Sequence, residues 1–140
     1  VRSLSIGLAL LFLMCGCQAD KDVFAVSSEK LFQQAEDGWK QAGYELVLKA
    51  ESSPISLSAP QRYYDTGNGD TLAIYIFSSV QEANAAKKEL EKPSTEWDFL
   101  IPVYMVKRNV LFVYFTPVNK ARPPLFEKLE KVVSNLNLDA

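Results

Sequence analysis

The sequence predicts an α+β two-layer sandwich, with an antiparallel sheet of four to five strands from two hairpins and about three helices on one face. Three observations lead there. Gly67-Asn68-Gly69-Asp70 and Lys107-Arg108-Asn109 each stand between two apolar runs of strand length, as hairpin turns do. In each hairpin the second run, Leu72–Phe77 or Val110–Phe115, is apolar without alternation, which marks a central strand. Three other segments repeat apolar residues at three- and four-residue steps, the spacing of a helix face.

The first helix is expected to begin at Ser27 or Ser28, either of which can cap free backbone amides. It runs through Leu31, Phe32, Ala35, Trp39 and Ala42, and Gly43 ends it. Tyr44 to Lys49 reads as a strand, with a continued helix as the competing reading. Glu51 to Pro60 is polar and broken by two prolines, hence a loop.

Gln61–Thr66 and Thr71–Phe77 form the first hairpin, with Asn68-Gly69 supplying positive backbone angles at the turn. Ser79-Val80-Gln81-Glu82 then has the form of a capping box, and Val80, Ala83, Ala86 and Leu90 give its helix a thin apolar stripe. Val103–Val106 and Val110–Thr116 form the second hairpin. A last helix follows Pro123-Pro124, proline suiting a first turn, and buries Leu125, Leu129, Val132, Val133 and Leu136. A hairpin followed by a helix thus occurs twice, either as an internal duplication or as two similar solutions to one packing problem.

Upstream of this domain, an apolar run from Leu4 to Met14 ends in Leu13-Met14-Cys15-Gly16-Cys17 and gives way to Gln18-Ala19-Asp20-Lys21-Asp22. The run is too short for a transmembrane span, which needs ~20 apolar residues, and has the proportions of a secretory signal. It resembles the lipobox of bacterial lipoproteins, with Met14 where Leu is usual and Cys15 where Ala, Ser or Thr is commoner. The resemblance covers the leader alone. It implies cleavage between Gly16 and Cys17, a lipid on the Cys17 thiol, and a location at the extracytoplasmic face of a bacterial membrane. Cleavage without lipid would instead release a secreted protein.

The expected organisation is therefore a signal peptide over 1–16, a lipidated cysteine and short tether over 17–27, and one globular domain over 28–140. Each buried acyl methylene contributes ~0.8 kcal/mol, so two or three chains make the anchor permanent where one would not.

The formal charge of the chain is −2, and because Arg2 is the only charged side chain before Cys17, the remainder carries −3. A mildly acidic domain with only short basic pairs, Lys87-Lys88 and Lys107-Arg108, lacks the clustered cations of a nucleic-acid binder. With Cys15 lost and Cys17 acylated, no thiol is left for a disulfide, so the core alone must hold the fold. The chain has no histidine, which removes the Ser-His and Cys-His nucleophile pairs and the commonest metal ligand. No cofactor and no metal site are expected.

The segment Ser94–Pro102 is the leading site candidate. Glu96 and Asp98 offer a carboxylate pair and Trp97 a stacking face for a sugar ring or a protein hot spot. The plainer reading buries Trp97, Phe99 and Ile101 as an alternating extended segment. Tyr63-Tyr64, flanked by Arg62 and Asp65, is a second candidate patch, or else one core ring and one surface ring.

The expectation is a non-catalytic binding or interaction module of the cell envelope. Its partners are the membrane, through Cys17, and an envelope protein or wall-associated ligand. Two rivals stand beside it. One is an envelope-polymer enzyme pairing Glu96 or Asp98 with Glu45, Asp65 or Asp70, since glycoside cleavage needs two placed acids. The other is an inhibitory or stabilising partner of a membrane protein, anchored by Trp97, Tyr63 and Tyr64.

Overall fold

A computed structural model describes the backbone of residues 16–94 and 99–139, with side chains from Ser27 onward. Glu96, Trp97 and Asp98, and the side chain of Cys17, lie outside the described residues. The elements are α1 (Gly16–Gln41), β1 (Val47–Leu48), β2 (Gln61–Asp65), β3 (Thr71–Ile76), α2 (Val80–Leu90), β4 (Leu100–Lys107), β5 (Val110–Pro117), a 3-10 turn (Val118–Lys120) and α3 (Pro123–Ser134). The five strands form one open sheet in the order β1-β2-β3-β5-β4, every pair antiparallel.

The α+β class and the antiparallel sheet are those the sequence predicts, but the helices do not share one face. Leu72, Ile74, Ile76, Phe112 and Tyr114 point into a core with Leu31, Phe32, Ala35 and Trp39 of α1 and Leu129, Val132 and Val133 of α3. Ala73, Tyr75, Leu111, Val113 and Phe115 point the other way, under Ala83 of α2 and Ile55 of the proline-broken loop. The connection decides this. Phe77 points to the second side, and Ser78-Ser79 is too short to carry the chain across the sheet before α2 begins. At ~1.5–3 kcal/mol for each fully buried large apolar side chain, two covered faces give a domain without disulfides a sufficient core.

The two hairpins meet through their inner strands, and Ile74 pairs with Phe112 at the centre. Corresponding residues share faces: Tyr75 with Val113, Ile76 with Tyr114. A rotation about the sheet normal would put α2 and α3 on the same side, which they are not. The likeness of the two units is confined to their strands.

Local details differ from expectation for identifiable reasons. Ser27 and Ser28 lie within α1, which continues upstream through a segment free of proline and so passes the expected boundary at residue 27. β1 is only two residues long. In the first turn Gly67 and Gly69, at φ 85° and 86°, take the positive backbone angles, while the Asn68 side chain accepts the Asp70 amide at 3.1 Å. The capping box is half formed. Ser79 Oγ accepts from the Glu82 amide at 3.1 Å, and the Glu82 carboxylate takes a 2.7 Å bond from the Ser78 hydroxyl instead of reaching back to Ser79.

β4 begins at Leu100, so Ile101 and Pro102 are strand residues and not loop. The Val118 amide donates to the Phe99 carbonyl at 3.1 Å, while Leu100 stands opposite Pro117. This sets the odd-numbered residues of β4 as those bonded to β5 and turns the Pro102 nitrogen outward. A proline is tolerated at a sheet edge for that reason.

Candidate interaction surface at one end of the sheet

One end of the sheet gathers three pieces of chain. The β2–β3 turn closes there with Asp65 opposite Thr71, β5 passes into the 3-10 turn, and β4 enters with Leu100 opposite Pro117.

Beneath this end lies a buried carboxylate. Asp70 is 3% exposed. The Tyr114 phenol donates to its Oδ2 at 2.6 Å, the Thr116 hydroxyl to its Oδ1 at 3.2 Å, and Lys120 Nζ stands 3.8 Å from Oδ1 while donating to the Asn68 carbonyl at 2.8 Å. The Thr66 hydroxyl lies 2.7 Å from Asn68 Oδ1 and 2.9 Å from the Asp70 carbonyl, with one proton to give. Burial, then the hydrogen bond to Asp70, pushes the Tyr114 phenol well above its ordinary value. Burial and the Asp70 charge raise Tyr44 in the same direction. Tyr114 also stacks on Trp39, with ring centres 6.1 Å apart and planes 9° from parallel, so the network is tied into the core. The carboxylate is held by two hydroxyl donors with an ammonium nearby and is closed to solvent.

Above it, Phe99 is 84% and Val118 50% exposed, and the two are joined by the backbone hydrogen bond between them. Two adjacent large apolar side chains exposed to water offer a partner apolar area to cover, as do Val47 and Leu48 of β1, 61% and 60% exposed. Phe99 is therefore not buried beneath a loop, contrary to the plainer reading of Ser94–Pro102. The pairing of Leu100 with Pro117 holds it at the rim of the sheet, where no helix among the described residues covers it.

Tyr63 and Tyr64 are not a surface patch. Both are buried, one on each side of the sheet, because neighbouring strand residues point to opposite faces and both faces are covered. The Tyr63 phenol donates to Thr71 Oγ1 at 2.9 Å. The Tyr64 phenol donates to Glu36, and burial followed by that bond raises it far above the usual phenol range.

Glu36 is also held by Arg62, whose guanidinium reaches Glu36 at 2.8 Å and Glu29 at 2.6 Å and lies over the Phe32 ring at 4.5 Å. Burial works against the Arg62 charge, but its bonds to the two glutamates outweigh that and hold it above its ordinary value. Of the other acids weighed as catalytic partners, Asp65 accepts the Gly67 amide at 2.8 Å and Glu45 packs beneath Gly67.

A groove of about 570 Å³ runs between α1 and α3, lined by Gln34, Asp37, Gln41, Lys128, Lys131 and Asn135 among others. Among the described residues no group of three or more acids or thiols is placed to hold a metal ion, and no helix is long and apolar enough to cross a membrane.

Sequence reading missed Val118 and the Asp70 network. Tyr114 and Thr116 lie in a run that reads as plain core, and only register places them over Asp70. Compared with known proteins, the chain matches no family model, no curated protein and no solved structure.

Proposed function

We propose that this chain is an extracytoplasmic lipoprotein, fixed to the membrane through acyl chains on Cys17, that serves as a non-catalytic binding or interaction module of the cell envelope. The observation that carries the reading is the leader, an apolar run of signal length ending in Gly16-Cys17 and followed at once by polar sequence. Exposed Phe99 and Val118, at one end of the sheet, give such a module a contact surface. The partner class is an envelope protein or a wall-associated ligand, met within reach of a short tether.

Mass spectrometry of the protein purified from native membranes tests this. The expected species begins at Cys17 and carries acyl mass, and Cys17→Ser moves the protein out of the membrane fraction. A species that keeps residues 1–16, or one that starts at Cys17 without acyl mass, overturns it.

A further inference from the structure

The direction of α1 says how an anchored domain stands. Glu29 meets Arg62, which pairs with Ile74, and Gln34 accepts the Asp139 amide, next to Leu138, whose carbonyl takes the Arg108 guanidinium at the β4–β5 turn; Trp39 lies against both Phe112 and Tyr114, and Glu45, just past the helix, reaches Gly67 in the β2–β3 turn. The helix therefore climbs the sheet from the Ile76–Val110 end toward the Thr71–Phe115 end. Upstream of Ser27 α1 runs on as helix to Gly16 in the same direction, past the end of the sheet that carries Phe77 and Asn109, which bond to each other twice, Phe77 N to the Asn109 carbonyl at 2.8 Å and Asn109 Nδ2 to the Phe77 carbonyl at 2.7 Å. Phe99, Val118 and the Gly67–Gly69 turn occupy the opposite end. β5 is eight residues long, so at about 3.3 Å per residue the two ends are separated by ~25 Å.

We infer that on the acylated protein the end bearing Ser78 and Asn109 faces the bilayer, and the end bearing Phe99 and Val118 faces away from it. The inference rests on the lipoprotein reading and adds a polarity to it. The contact surface is presented to partners standing beyond the headgroup layer, not to lipid. The chain itself supplies the geometry, since the segment that carries Cys17 joins the domain at the end remote from Phe99 and Val118.

The test uses acylated full-length protein, with intact mass confirming the lipid, in liposomes containing a headgroup-attached fluorescence quencher. Single labels are placed at Ser78→Cys and Asn119→Cys, both exposed positions at opposite ends, and near-ultraviolet circular dichroism confirms that each variant is folded. The expected result is loss of most emission from the Ser78 label and retention of most emission from the Asn119 label. Equal quenching of both labels on lipidated protein, or the reverse order, overturns the inference while leaving the anchor intact. Absence of acyl mass overturns the lipoprotein reading, and the inference with it.

Discussion

The phenol of Tyr114 donates a 2.6 Å hydrogen bond to Asp70 Oδ2, linking the middle of the sheet to the turn that closes its first hairpin. The bond is buried and its acceptor is charged. Tyr114→Phe removes the donor and leaves the carboxylate under-satisfied, so the expected loss of stability is about 1.5–3 kcal/mol. Urea denaturation measures it. A change within a few tenths of a kcal/mol would mean that Thr116 and Lys120 suffice to hold Asp70.

Alkaline pH should destabilise the domain through its buried phenols. Burial pushes Tyr75, whose hydroxyl lies 2.6 Å from both Ser53 Oγ and the Ile55 carbonyl and gives its one proton to the carbonyl, up to about 12 from an ordinary 10.0. The unfolded chain gives up that proton near 10 and the folded chain only near 12, so the unfolded state binds fewer protons in between. Stability is fully present below about pH 10 and falls as pH rises toward 12. Urea midpoints measured from pH 8 to 11.5 should fall only above 10, and less steeply in Tyr75→Phe. A midpoint that rises through this range would contradict the assignment.

Pro102 guards an edge. Its nitrogen faces outward from β4, so a second strand cannot gain a hydrogen bond at that position. Pro102→Thr restores a donor on an open strand eight residues long. The expected outcome is concentration-dependent self-association by light scattering, with the monomer's circular dichroism unchanged at low concentration. A strictly monomeric variant would show that the edge is protected by something else.

Gly38 lets the chain after α3 close over α1. A Cβ there would press into Leu136 Cδ2, and Leu136 is buried. Gly38→Val is expected to cost about 1–3 kcal/mol by overpacking. Combined with Leu136→Ala, the two losses should be less than additive, because the second substitution vacates the space the first one needs. Strict additivity would place the strain elsewhere.

Arg62 serves two glutamates and a ring at once. Arg62→Met keeps an apolar stem over Phe32 but leaves Glu36 with Tyr64 as its partner, for an expected loss of about 1–2 kcal/mol. If the loss disappears at high salt, the contribution is that of an exposed ion pair and not of a half-buried network.

Much of the fold was legible because periodicity reports local structure directly. The two hairpins, the Ser79 cap and the buried stripe of α3 follow from residues a few positions apart. The covered second face was also written in the sequence: Leu72–Phe77 and Val110–Phe115 are apolar on both sides, which a sheet with helices on one face does not require. The contradiction between those strands and a two-layer sandwich was the available signal for α2 on the far side. Two features were not legible. The enclosure of Asp70 by Tyr114 and Thr116 depends on the pairing of β3 with β5, a contact across more than forty residues that no local pattern specifies. The exposure of Phe99 depends on where β4 begins, which Ile101-Pro102 obscured because proline reads as a strand breaker unless its nitrogen is known to face outward.

Helices roof both broad sides of this sheet, so its largest apolar areas are committed to the protein's own interior. What the helices leave uncovered is the perimeter: two blunt flanks, one clipped to a pair of residues and the other spiked with proline, and the short rim where Phe99 sits. Under the proposed reading such a molecule greets its surroundings with its tip, and substitutions that alter whom it meets should cluster on a small crown of positions while the rest of the surface drifts freely.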